Sequence, residues 1–379
     1  MPVGPGLDLL FGPGGPETTQ APPRESCRPT EEATTRIPGV ESSRRSRNAT
    51  FALLVPAIAA AVSLAACSGT PPSTLKPHGP GAARIAGLWW FMFAVSAFVV
   101  VLIGALLLFS ILPRRRRKGD DPDTTPAWAT RMVVVGGVVF PVVVLSVLWV
   151  LTLQDMDALS QPSRPARLEI HVTGYQWWWK VAYPQQGFVT ANDIHIPTGQ
   201  PVRVLLTTFD VNHSFWVPQL TGKTDLIAGK PNTTWIEADN PGVYRGQCAE
   251  YCGLQHANMI FDVVAQRPAD YQVWVTRQQQ GAPPAATTDL LHGEQVFLSQ
   301  PCVACHTVRG TPARGTVGPD LTDFGDRLSI GAGAVPNTPG YLGGWIIDSQ
   351  GVKPGNKMPP IELPAQDLQD LIAWLESMR

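Results

Sequence analysis

The chain has 379 residues, 44% of them hydrophobic and 16% charged, and its 29 Lys and Arg nearly cancel its 30 Asp and Glu for a net charge of -1. It has no basic excess to meet nucleic-acid phosphates, so nucleic acid is not an expected partner. Two stretches, 88–112 and 132–153, carry no charged side chain and are each long enough to cross a hydrocarbon core, which rules out a purely soluble protein.

In chain order, residues 1–48 are rich in Pro and Gly without an apolar period and are expected to hold no structure. The apolar run 51–66 follows Arg44, Arg45 and Arg47 and ends in Leu64-Ala65-Ala66-Cys67. That is the pattern of a secretory signal with a bacterial lipoprotein cleavage box, which makes 1–66 leader and signal, with a true start near Val40, and Cys67 the lipidated first residue. A third membrane helix is the alternative reading of the run. An outer linker, 67–87, leads to a two-helix membrane hairpin over 88–153. Its connector begins Arg114-Arg115-Arg116-Arg117-Lys118, while Arg84, Asp155 and Asp157 flank the outer ends. Basic loops stay in the cytoplasm, so everything after about 154 is expected on the outer face of a bacterial plasma membrane.

From 167 the pattern becomes alternating: Leu168, Ile170 and Val172 are separated by Glu169, His171 and Thr173. Further strand-like runs at 193–197, 202–206, 233–237 and 259–264 predict an antiparallel β-sandwich over 160–276. Residues 277–287 have linker composition. Over 288–379 helical spacing returns, with Leu368, Leu371, Ile372 and Leu375 on one face of a terminal helix that starts after Pro364.

The chain has six cysteines, of which Cys27 falls in the leader and Cys67 at the cleavage box. Disulfides are the default for the other four in an exported domain. Cys302-Val303-Ala304-Cys305-His306, however, is the c-type haem attachment pattern, with two thiols for thioether bonds and the adjacent imidazole as an axial ligand. A redox CxxC would need a thioredoxin-like strand-to-helix context that is missing here. Met358, in the loop Gly355-Asn356-Lys357-Met358-Pro359-Pro360, is the candidate sixth iron ligand, and Met378 in the last helix is its competitor.

Cys248, Cys252, His256 and Met259 fall within one short segment, and His213 lies upstream in Asp210-Val211-Asn212-His213-Ser214-Phe215-Trp216. Two thiolates, two imidazoles and a thioether form a soft and borderline donor set that favours copper. One Cys suffices for a single blue copper. A second Cys after three intervening residues lets both sulfurs bridge two copper ions, each keeping one His. A Cys248–Cys252 disulfide and a structural zinc site are the alternatives, and neither accounts for Met259.

These motifs, together with Gly174-Tyr175-Gln176-Trp177-Trp178-Trp179, resemble bacterial cytochrome c oxidase subunit II fused to a C-terminal cytochrome c domain, over about 80–379. The resemblance implies a membrane protein built from a two-helix transmembrane hairpin, a cupredoxin-like β-sandwich and an all-α class I cytochrome c domain. By the same resemblance, His213, Cys248, Cys252, His256 and Met259 are side-chain ligands of a binuclear copper centre, CuA, with Glu250 a ligand through its carbonyl. The Glu250 carboxylate would reach a magnesium ion at the subunit I interface. Cys302, Cys305, His306 and Met358 would hold haem c, and Trp177 would be the residue through which electrons enter CuA.

The implied activity is that of a proton-translocating cytochrome c oxidase, with subunit I, subunit III and cytochrome c as partners and haem a in subunit I as the acceptor. A membrane-tethered donor to another reductase, resembling the copper domain of nitrous oxide reductase, is the alternative function; an anchor alone would need only one span. A quinol oxidase subunit would lack the copper loop. Of the three tryptophans, Trp178 is expected to pack in the core, and His78, His171, His195 and His292 are expected to bind nothing. Many family members carry a glutamate near the start of the second membrane helix, but this chain reads Trp128-Ala129-Thr130-Arg131-Met132 there, so no proton-entry role is transferred.

Overall fold

The computed structural model describes residues 72–111 and 126–379. The signal run with Cys67 and the basic connector at Arg114 lie outside the described residues. Helix α1 spans Pro80–Ile111 and α2 spans Ala127–Ser160, both long and apolar enough to cross a membrane, with none of their most apolar window buried inside the protein. Arg84 and Asp155 pair at 3.4 Å, which puts the start of α1 and the end of α2 together. A π-helical turn at Val135–Val139 widens α2. Pro141 follows it: its ring crowds the carbonyl four residues back and it has no N–H to donate there, and the Gly136-Gly137 pair lets the backbone yield.

Helix α1 begins within the segment expected as outer linker because its first turn is clamped to the sandwich. The Ala82 N–H donates to the Leu220 carbonyl at 3.0 Å, and the His78 N–H to that of Gln219 at 2.8 Å. His78 packs its ring on Tyr244, centroids 5.3 Å apart.

Ten strands follow: β1 Leu168–Tyr175, β2 Trp178–Tyr183, β3 Phe188–Ala191, β4 Asp193–Pro197, β5 Val202–Thr208, β6 His213–Trp216, β7 Thr224–Leu226, β8 Asn232–Ile236, β9 Gly242–Cys248 and β10 Ile260–Gln266. They form two five-stranded sheets, β3-β2-β1-β5-β8 and β4-β10-β9-β6-β7. The sheets are not purely antiparallel: β1 pairs with β5, and β4 with β10, in parallel. Each of these pairs is separated in sequence by several strands, which gives the chain the length a parallel crossover needs.

The alternation read from the sequence sets the core: Ile170, Val172, Val181, Tyr183, Val204 and Leu206 are fully buried. The expectation for the tryptophans is corrected. Trp179, not Trp178, is the core residue, at 0% exposure. Strand β2 starts at Trp178, and its inward positions are Trp179, Val181 and Tyr183, so Trp178 falls on the outer face and stacks on Tyr175 at 4.7 Å.

Helix α3, Pro268–Gln280, covers one end of the sandwich with Tyr271, Trp274 and Val275 and runs on through 277–280, where the composition is that of a linker. His195 lies flat on Trp274, centroids 4.1 Å apart, as a packing residue.

The C-terminal lobe contains α4 Thr288–Ser299, α5 Cys302–Cys305, a two-stranded ladder of β11 Ser329–Ile330 with β12 Val335–Pro336, then α6 Pro339–Ile347, α7 Ser349–Val352 and α8 Ala365–Ser377. Helices α4 and α8 cross closely because a Cβ on Gly293 would lie 2.1 Å from the Asp370 carbonyl oxygen. His292 Nδ1 lies 2.7 Å from Asp370, in an ion pair at the surface of this crossing. Phe297, Leu371, Trp374 and Met378 fill the lobe's core.

Candidate functional site

Sheet register brings the first group of donors together. Strands β6 and β9 are neighbours with Phe215 opposite Cys248, so His213 at the start of β6 lies beside Cys248 at the end of β9. The loop from 249 to 259 returns to β10, and its ends are tied by Cys248 N–H to Met259 O at 2.9 Å and Ala249 N–H to Ser214 O at 3.0 Å.

The ligand atoms of His213, Cys248 and Cys252 all lie within 4.8 Å of one another and are buried. The two sulfurs are 3.7 Å apart, far beyond a disulfide bond, and both cysteines are free. Cys248 Sγ is 3.8 Å from His213 Nδ1 and 3.1 Å from the Glu250 carbonyl oxygen. Cys252 Sγ is 3.6 Å from His256 Nδ1 and 3.7 Å from Met259 Sδ. Each sulfur thus has its own imidazole and its own weak oxygen or thioether neighbour, the donor set that suits a copper pair. A hydrogen bond from Cys252 is the main cause that pushes the Cys248 thiol down, and the same contact, with burial, pushes Cys252 up.

Asp210 and Gly174 shape this site, and the sequence reading assigned neither a role. Asp210 Oδ1 lies 3.0 Å from His213 Nε2, which leaves Nδ1 turned toward Cys248. Burial works against the Asp210 carboxylate, but the Gln176 N–H at 2.8 Å, His213 and the Val211 N–H outweigh it and hold its pKa below the usual range. A Cβ on Gly174 would come within 2.6 Å of His213 Cδ2, so only glycine lets the ring lie where it does. The Glu250 carboxylate sits 3.9 Å from Lys223 Nζ at the protein surface.

The second group lines a cavity of about 580 Å3 in the C-terminal lobe, with Cys302, Cys305, His306 and Met358 on its wall. The two thiols are free. His306 Nδ1 donates to the Pro319 carbonyl at 2.8 Å, leaving Nε2 for a metal, and burial lowers the ring's pKa so that the neutral form is held. Met378, the competitor, is fully buried in the helical core and does not line the cavity. A largely apolar cavity with two free thiols, one oriented imidazole and a thioether suits a covalently attached haem.

The copper domain supplies part of the same wall: Tyr175, Trp177, Trp178 and Phe209 line the cavity too. Trp177 reaches the other way as well, its Nε1–H donating to the Cys252 carbonyl at 3.0 Å, as does Gln176 Nε2–H at 2.8 Å. One indole therefore touches both the two-cysteine loop and the haem-sized cavity.

The fold and site define a class: a membrane-anchored chain with a cupredoxin-like sandwich and a cytochrome c lobe. Comparison with known proteins narrows it. Residues 187–266 match the family model for the periplasmic domain of cytochrome c oxidase subunit II, and 290–379 match that for cytochrome c. The chain is 36% identical to cytochrome c oxidase subunit 2 of Alkalihalophilus pseudofirmus over 81% of its own length and 91% of the relative's. It is 32% identical to cytochrome c oxidase subunit 2 of Bacillus sp. PS3 over 64% and 72% of the two chains. Among solved structures, the periplasmic domain of subunit II of the cytochrome oxidase of Bradyrhizobium japonicum aligns with 32% identity and a TM-score of 0.30, covering 31% of this chain and 96% of that one. The chain belongs to the cytochrome c oxidase subunit II family, in a form that carries its own cytochrome c domain.

Proposed function

We propose that this chain is the electron-entry subunit of a haem-copper oxidase, taking electrons from cytochrome c through its own haem c into CuA and on to haem a of subunit I. When bound, the haem and the copper pair supply one-electron chemistry, and in subunit I oxygen is reduced to water with proton translocation. His213, Cys248, Cys252, His256 and Met259, with the Glu250 carbonyl, hold the copper pair. Cys302 and Cys305 would attach the haem, and His306 and Met358 would hold its iron. The Glu250 carboxylate contributes to a magnesium site against subunit I, with subunit III completing the assembly. Both outer domains lie on the periplasmic face of the bacterial plasma membrane.

The observation that carries this reading is Trp177, hydrogen-bonded to the Cys252 carbonyl while lining the haem cavity. An aromatic ring shared by two redox pockets shortens the through-space gap, while the side chains of His213, Cys248, Cys252 and Met259 are buried from water. The protein's part is positioning: Asp210 and Pro319 each fix an imidazole by its outer nitrogen. The test is copper and haem analysis of the purified chain with EPR spectra. Two coppers and one covalent haem per chain are expected, with a mixed-valence signal that Cys248→Ser or Cys252→Ser abolishes while the haem spectrum stays. Survival of that signal in either variant would refute the bridging pair.

A further inference from the structure

Lys353 caps α7 and is 2% exposed, yet it pairs with no carboxylate among the described residues. Its Nζ donates to three backbone carbonyls: Trp177 at 2.8 Å, Asn258 at 2.6 Å and Gly331 at 2.6 Å. An ammonium has three N–H bonds, so the three acceptors use all of its capacity. Two of those acceptors belong to the copper domain, one in the Trp177 segment and one in the turn just before Met259. The third lies in the β11–β12 turn of the cytochrome lobe. Lys353 also sits at the start of the loop that carries Met358. Asn356 Nδ2–H donates to the Lys353 carbonyl at 2.8 Å, and Asn356 Oδ1 accepts from the Met358 N–H at 2.7 Å. Ser349 Oγ–H ties the far end, donating to the Met358 carbonyl at 2.6 Å. The Met358 loop is therefore held together by bonds that do not involve the Lys353 ammonium, and it is carried with Lys353 as one piece.

We propose that Lys353 is a positioning residue that staples the Met358 loop of the cytochrome lobe to the Trp177 segment and copper loop, holding the two redox pockets at one separation. This rests on the intrachain electron route proposed above. A buried ammonium is costly unless every N–H finds an acceptor, and here it does so only when the lobes are docked, so the docked arrangement is specified rather than merely sticky. Neighbouring contacts are consistent with this role: the Gln255 side-chain amide donates to Pro354 O at 2.8 Å, and the Ile260 N–H donates to Ala332 O at 3.0 Å.

The interface carries its own reporters, the Ile260 N–H and the Leu328 N–H, the latter bonded to Asp193 Oδ2 at 3.1 Å. In the full detergent-solubilised oxidase, Lys353→Met should speed hydrogen exchange at both by about 10-fold or more, with β1 and α8 unchanged. Haem-to-copper transfer after photoreduction of the haem should slow about 10-fold, with both spectra and both potentials unaltered. In the unaltered protein, Lys353 should be among the slowest lysines to react with an amine-acylating reagent, while exposed Lys357 reacts readily. Equal exchange and equal transfer in K353M, or rapid acylation of Lys353 in the intact protein if the variant does not accumulate, would overturn the staple. Absence of any haem-to-copper transfer in the unaltered protein would instead overturn the electron route.

Discussion

Two imidazoles are aimed by the same device: Asp210 engages Nε2 of His213, and the Pro319 carbonyl engages Nδ1 of His306. In each case the remaining nitrogen is the one turned to the metal pocket. Removing the charge behind such a ligand usually costs on the order of 10–100-fold in metal affinity. Asp210→Asn should therefore weaken copper retention by about that factor in a chelator competition, leaving the haem spectrum unchanged; unchanged retention would mean that the packing at Gly174 alone orients the ring. The candidate ligands were legible in the sequence by chemical type, with Cys248 to Met259 in one short segment and Cys302 to His306 in another. Asp210 was harder to see, since a carboxylate three positions before a histidine has no fixed meaning until β6 starts. Lys353 was invisible, because its partners are carbonyls, one of them 176 positions away, and any residue type supplies a carbonyl.

At the scale of elements, alternation located β1, β4, β5, β8 and β10, passed over β3, β6, β7 and β9, and left the phase of β2 open. The three consecutive tryptophans fit either register, and the start of β2 at Trp178 decides for Trp179. Trp179 packs against Phe261 at 5.0 Å and Phe215 at 6.3 Å between the two sheets. Trp179→Ala should cost about 3–5 kcal/mol of stability, whereas Trp178→Ala, on the outer face, should cost much less. Denaturant titration of the two variants checks this, and equal losses would contradict the assigned register. Composition also misplaced the end of α3: Gln278, Gln279 and Gln280 read as linker, yet Gln278 Nε2–H bonds Asp323 at 3.0 Å and the Gln278 carbonyl accepts from Arg309. A polar run joins a helix when its partners lie on a neighbouring domain, and local pattern carries no trace of those partners. The parallel pairing of β1 with β5 was hidden for the same reason.

For the whole molecule, the cytochrome lobe is docked on the sandwich at two places, the copper loop and the region of Asp193, Asp323 and α3. Asp193 shows how this couples to pH. Burial raises its pKa to about 7 from 3.8, with Asp262 and Asp323 reinforcing the shift and the Leu328 N–H and Arg327 opposing it. The folded chain thus keeps a proton here that the unfolded chain loses near pH 4. That contribution to stability is complete below about pH 4 and is lost as the pH rises to about 7. Asp193→Asn keeps an acceptor for Leu328 but cannot titrate. Between these pH values the melting temperature of the parent should fall by a few degrees relative to the variant, and parallel profiles would exclude Asp193 as the source.

The electron route proposed here runs from haem to copper inside one chain, through the Trp177 wall. Flash photoreduction of the haem, followed by copper absorbance at several protein concentrations, tests it most directly. Haem reoxidation is expected in step with copper reduction, at a rate independent of concentration and slowed by Trp177→Ala without a change in either spectrum. A rate proportional to protein concentration, or haem that stays reduced while the copper stays oxidised, would contradict it.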